Sequence, residues 1–414
     1  MTESNVLDVQ PPVALPKARR RRLAGPAAVY VLALAALTAG ALVHLTQGTA
    51  QVTVTELVRA VLSWGEPDET RSQTVAILLD SRMPRLLAAV LVGVALGVAG
   101  GTLQSIARNP LASPDTLAVN AGAYVAVVAT AAFGIAVPFY VGGFVAMLGG
   151  LLASGLVLVV AQGGASGPTR LVLAGSAVAL ALGSVTTVLL MLFQQETIGL
   201  YQWGSGTTVQ SGSRQVMLAA PLVGAGVLAT MLLSHRLDIL GLGDDTAKVL
   251  GLNVVRTRVL AVLVSVFLAA AAVMVAGPIG FVGLCAPVVA RLIASRLPEM
   301  AKTALLLPLA GLVGALMVVV ADVLLRAFVD SEFAIAVPTG VVTTFAGAIV
   351  MVVLARRLRD TTSGALSSGS RGRVRTTPWV VSVLVGLAVA LVGAVVLALL
   401  LGDRQLSFAE LVTW

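Results

Sequence analysis

Again and again this chain runs for about 20 residues with almost no charge, the length an α-helix needs to cross roughly 30 Å of hydrocarbon. Such stretches fall near 25–46, 86–106, 116–135, 137–161, 171–193, 216–235, 257–277, 279–296, 303–327 and 337–355, with a further one near 378–401. A soluble core does not explain them. Of 414 residues, 58% are hydrophobic and 11% charged, against about 25% charged in an ordinary soluble protein. So few charges could not cover a core of this size in water. The fold class is therefore an all-α integral membrane protein, with ten spans in a unit over 25–360.

The charges test that count. With the N-terminus placed inside and the sides alternating, most Lys and Arg residues fall in the cytoplasmic segments. They begin with Lys17 and Arg19 to Arg22 in the basic tail 1–24 and continue through Arg108, Arg170, Arg236 and the cluster Arg356, Arg357 and Arg359. The outer segments mix their few arginines with Glu56, Glu66, Asp68, Asp80, Asp330 and Glu332. Removing one span would scramble this positive-inside asymmetry. The protein is thus expected in the cell membrane, multi-pass, with a cytoplasmic N-terminus. The net charge of +8 belongs to these flanks and to membrane lipid, not to nucleic acid. A cleaved signal peptide is not expected, because 25–46 is longer than a signal-peptide core.

Little else in the composition suggests chemistry. Cys285, the single cysteine, lies in an apolar run without metal-ligand spacing. His44 has no carboxylate or cysteine close in sequence and His235 has no cysteine, so no metal or catalytic site is expected. Residues 361–377 are Gly/Ser-rich and basic, which reads as a cytoplasmic linker. After it, 378–414 repeats the start of the chain. A span is followed by Ser407-Phe408-Ala409-Glu410-Leu411-Val412 and Trp414, as the first span is followed by Thr53-Val54-Thr55-Glu56-Leu57-Val58 and Trp64. The parallel suggests the first span and external segment of a second such unit, begun and truncated.

Four segments go beyond membrane solubility. Arg82-Met83-Pro84-Arg85 precedes a span carrying Gly93, Gly97, Gly100 and Gly101, small residues that let helices approach closely. Asn109-Pro110 and Ser113-Pro114 follow it, forcing extended backbone that is tolerated at membrane depth only inside protein or beside a water-filled cavity. Next comes an amphipathic stretch, with Leu240, Leu242, Leu250 and Leu252 beside Asp244, Asp245 and Lys248. It suits a small helix that either docks a soluble partner or merely lies on the membrane. Third, Gly277, Pro278, Gly280, Gly283 and Pro287 interrupt a span, as in broken helices that line transport pathways. Last, Asp322 and Arg326 stand four apart on one helix and can pair.

In this order, RMPR with RNPLASP, LGLGDDTAKVLGL, GPIGFVGLCAP and AD…R…PTGVVTT resemble the FecCD-type permeases of ABC importers for iron-siderophores, haem and cobalamin. The resemblance covers about 80–356, and the tandem arrangement is similar to fused hydroxamate-siderophore permeases. Val288 departs from the family's usual Pro-His pair, and Glu332 stands apart from Pro338 and Gly340. The resemblance implies a type II importer bundle moving an iron chelate. Arg82 and Arg326 would engage an extracytoplasmic substrate-binding protein. Leu240 to Leu252, with Asp244, Asp245 and Lys248, would seat in a cytoplasmic ABC ATPase dimer. Asn109, Leu111, Pro168 and Thr169 would form the cytoplasmic gate, and the pathway would lie against a second permease half, identical or fused.

No phosphate-binding G-x-x-x-x-G-K-[ST] loop is present, so the chain does not hydrolyse ATP by that route and binds no cofactor itself. ATP and magnesium would be used by the partner ATPase. The alternative, a carrier driven by an ion gradient, needs acids lining the pathway, and Asp322 is the single candidate within a span.

Overall fold

The computed structural model describes residues 24–47, 73–161, 168–210, 212–328 and 337–362, and residue 386 alone. Most of the tail 1–24, the linker 361–377 and the second-unit segment 378–414 lie outside the described residues, as do both copies of the Glu-Leu-Val motif. Contacts divide the chain into two units, Met1–Val353 and Leu354–Trp414. Everything below concerns the first.

Each of the ten expected stretches falls on a helix. They are α1 (Ala24–Thr46), α2 (Met83–Ala107), α3 (Val119–Ala132), α4 (Phe139–Val160), α5 (Pro168–Leu192), α6 (Arg214–Gly241), α7 (Val254–Ala276), α8 (Val282–Ala294), α9 (Thr303–Phe328) and α10 (Thr339–Thr362). Among the described residues, seven are long and apolar enough to cross a membrane, while α3, α8 and the apolar part of α10 are shorter.

Local chemistry marks several helix starts. Pro84 sits in the first turn of α2, where its missing N–H costs nothing. The Asn253 side chain caps α7 by accepting from the Arg256 amide at 2.9 Å. Asp238 reaches across from α6 to accept from the Thr303 amide at 2.8 Å, capping α9 from another helix.

The core forms around α2, α7 and α9. In α7 the run Leu268 to Ala276 is buried on every side, which its small alanines permit. The expected glycine stripe on α2 packs backbone against backbone. A Cβ built on Gly93 would lie 2.4 Å from the Gly314 carbonyl oxygen of α9, and one on Gly97 would lie 2.2 Å from that of Ala310. On Gly100 it would lie 1.6 Å from the Gly283 carbonyl oxygen of α8. Lacking a hydrophobic drive inside lipid, helices associate through such close contact.

Gly283 and Pro287 were expected to interrupt a span. Both instead lie within α8, and Gly283 is a packing residue. The break is confined to 277–281, where Gly277 and Phe281 both take φ of +66°.

Candidate functional site

Polar groups gather at the two ends of the bundle. At one end Asp322 of α9 is wholly buried, and its carboxylate takes hydrogen bonds from four other residues and an ion pair from a fifth. His44 Nε2 at the end of α1 lies 2.8 Å from Oδ2, and Arg85 at the start of α2 donates to Oδ1 from Nη2 at 2.7 Å and from Nε at 3.2 Å. Thr208 donates at 2.8 Å and Thr339, at the start of α10, at 3.0 Å. Arg326 Nη2 is 3.2 Å away, the i, i+4 pair expected. His44 therefore does have a carboxylate partner, one 278 residues distant in the chain.

Arg82 and Arg326 are brought to this same end. Arg82 is buried and donates from Nη1 to the Leu45 carbonyl at 2.6 Å, and Arg326 Nη1 reaches the Gln47 carbonyl at 3.5 Å. Both thus lean on the end of α1.

Partly buried non-helical backbone adjoins this end. Residues 204–210 pass beside the 277–281 break. The Thr207 amide donates to the Ala276 carbonyl at 2.7 Å, Gln210 Nε2 donates to that of Val275 at 2.8 Å, and the Gly340 amide donates to that of Gly206 at 2.9 Å. After α2 the chain turns back inward, so that Pro114 lies 3.0 Å from where a Gly283 Cβ would be. Gly283 meets α2 roughly 10 Å before that helix ends, at 1.5 Å per residue. Asp115 in this loop is held by Ser113 Oγ (3.1 Å), Asn120 Nδ2 (2.6 Å) and the Phe281 amide. It is a second acid drawn inside, which span boundaries read from hydropathy had left at an edge.

At the opposite end, Asp244, Asp245 and Lys248 form a single short helix, Asp244–Val249. Glycines mark its limits as expected, Gly243 with φ of +117° and Gly251 with φ of +80°. The leucines divide by exposure. Leu240 is fully buried and Leu252 packs on the core, whereas Leu242, Val249 and Leu250 are 65%, 87% and 58% exposed. The Asp244 carboxylate is paired with Arg108 and, at 3.1 Å, with Arg258 of α7. Partial burial pushes its pKa up, but Arg258 and then Arg108 outweigh this and hold it below the usual carboxylate range.

Arg108 takes a left-handed φ of +48° directly before Asn109. Asn109 Oδ1 accepts from the Leu111 amide at 2.9 Å, closing a tight turn that leaves Leu111 half exposed. Pro168 and Thr169 open α5. A little further along, a Cβ on Gly175 would lie 1.8 Å from the Thr116 carbonyl oxygen. The loop after α2, the start of α5 and the short helix are therefore neighbours. Gln104, Ser105, Arg291 and Asp238 help line an open cavity beside them.

With this geometry in place, comparison with known proteins is decisive. The FecCD transport family model matches residues 35–357. The chain belongs to the FecCD transport family. A FecCD relative in Bacillus subtilis, the Fe(3+)-citrate import system permease protein YfmD, is 35% identical over 342 residues, covering 82% of this chain and 98% of that one. The ferric enterobactin transport system permease protein FepG of Escherichia coli is 38% identical, covering 69% and 84%. The iron(3+)-hydroxamate import system permease protein FhuB of Escherichia coli is 33% identical over 78% of this chain but only 47% of its own length. Among solved structures, a metal-chelate type ABC transporter in an inward-facing conformation superposes with a TM-score of 0.67 at 25% identity, covering 80% of this chain and 99% of that one. As a FecCD permease with seven long apolar helices, the protein is a multi-pass membrane protein.

Proposed function

We propose that this FecCD chain is the membrane subunit of an ATP-driven importer that carries a ferric chelate from a binding protein into the cytoplasm. The observation that carries this reading is the exposed apolar tip formed by Leu242, Val249 and Leu250 next to the loop after α2. Single turns of helix are unstable alone, and exposed leucines at a bundle end suit a groove on a soluble partner. That partner is an ABC ATPase dimer, which binds and hydrolyses ATP with magnesium. The Asp244 end is then cytoplasmic, and the Asp322 end, with Arg82 and Arg326, meets the substrate-binding protein. Asn109, Leu111, Pro168 and Thr169 form the inner gate. The break at Gly277, Pro278 and Gly280 borders the pathway, with Gly283 and Pro287 packing behind it. A second permease half, identical or fused, completes the pathway.

The substrate class follows from chemistry common to the relatives. Citrate, enterobactin and hydroxamate permeases share ferric iron held in an organic chelate. A carrier driven by an ion gradient is the weaker reading, because Asp322 is saturated by donors and leaves no free acid there for a coupling ion.

Leu250→Asp tests the coupling role. An unpaired carboxylate in an apolar seat costs several kcal/mol, on the order of a 100-fold loss in affinity. The variant should insert normally but lose the co-purifying ATPase or its stimulation by loaded binding protein. A complex that stays intact and fully stimulated would refute the reading. Orientation is checked separately by single cysteines at Ser72 and Ser367 on a Cys285→Ala background. An impermeant maleimide applied to intact cells should label only the first. Labelling at Ser367 would end the ten-span arrangement with a cytoplasmic N-terminus.

A further inference from the structure

We infer that Asp244, gripped by Arg108 and Arg258, is a positioning residue that transmits movement of the short helix to the gate loop after α2. The inference rests on the importer reading and deepens it. Its basis is the pair of arginines that meet on one carboxylate.

The short helix has few holds of its own. Ala247 is its one fully buried residue, and Gly243 supplies no side-chain cap. Asp245 and Lys248 pair only with each other, at 3.4 Å within the helix, and both are largely exposed. Among the described residues, Asp244 alone ties it by charge to other elements. One tie runs to Arg258 in the first turns of α7, 3.1 Å away. The other runs to Arg108, whose left-handed backbone is the hinge between α2 and the Asn109 turn. A push on the short helix therefore reaches the backbone of the gate loop through one side chain.

Room for the loop to respond lies next to it. A small, partly open apolar cavity of about 50 Å³ is lined by Leu103, Ala112 and Thr116 on the α2 side, Leu171 and Val172 of α5, and Arg258. Both gate segments border it, and Arg258 joins its wall to Asp244. Ion pairs as exposed as these add little stability, usually below about 1 kcal/mol. Their value here is directional, since a charge held from two sides cannot move without moving its partners.

The test uses the permease–ATPase complex in lipid nanodiscs, with Leu111→Cys as reporter on a Cys285→Ala background. The readout is the rate of modification by a soluble maleimide with and without Mg–ATP. In the parent this rate should change at least about fivefold, the low end of typical coupling between two sites. Arg108→Gln, which leaves the short helix untouched, should hold the change below about twofold while the ATPase stays bound and hydrolyses ATP, a split that a merely structural role would not produce. Asp244→Asn should flatten the response to the same extent. An unaltered response in Asp244→Asn overturns the inference. Loss of the ATPase from that variant also overturns it, because Asp244 would then belong to the docking surface. If Leu250→Asp uncouples the gate and Asp244→Asn does not, only the Asp244 linkage falls. If neither has an effect, the importer reading falls with it.

Discussion

Asp322→Ala is expected to lose about 3–5 kcal/mol of stability, the range for removing one partner of a buried ion pair. Arg85 and Arg326 would be left facing each other, with side chains 11% and 12% exposed and no carboxylate between them. Thr208 and Thr339 would lose their shared acceptor, so the starts of α2 and α10 and the ends of α1 and α9 would come apart together. Asp322→Asn should lose nearly as much, because the amide keeps the shape and not the charge. Thermal unfolding of the purified protein in one detergent checks this. An unchanged midpoint in both variants would mean that the cluster contributes no net stability.

Gly100→Val is expected to be the most damaging single change at a helical glycine. Even alanine would set a Cβ 1.6 Å from the Gly283 carbonyl oxygen, so α2 and α8 must separate along their whole contact. Overpacking of this kind costs about 1–3 kcal/mol, and valine adds two methyl groups. Gly155→Ala in α4 is the matched control. Nothing lies within 4 Å of its added Cβ, so helix propensity alone acts and should stabilise by up to about 1 kcal/mol. Opposite signs in the two unfolding midpoints are the expected result. Equal effects would mean that the glycine seam does not hold these helices together.

These two sites also mark how far the sequence could be read. Each expected apolar stretch falls on a helix, and among the described residues seven of those helices have the length that hydrocarbon thickness imposes on a span. The Asp322–Arg326 pair was legible because four residues bring two side chains to the same helix face. His44, Arg85, Thr208 and Thr339 were not, since each meets Asp322 from a different element and no local spacing encodes the meeting. Arg108 and Asp244 likewise stand 136 residues apart. Glycines were ambiguous for another reason. Gly277 bends the chain and Gly283 packs against a neighbour, yet both appear in sequence as the same missing side chain. Only φ and the facing backbone tell them apart.

The shortness of α8 bears on how the protein is made. Its 13 residues extend roughly 20 Å at 1.5 Å per residue, well short of the roughly 30 Å of a hydrocarbon core. The translocation machinery that releases helices sideways into lipid would not retain it as an independent stop. The 277–281 backbone ahead of it also carries amides that lipid cannot satisfy. Its partners are α2, α9 and α10, and Trp203 to Gly206 lie against the break ahead of it. Of these α10 is synthesised last. The membrane depth of α8 is therefore set by tertiary assembly after synthesis has passed it, and this half-helix should be the last part of the bundle to become resistant to protease during biogenesis.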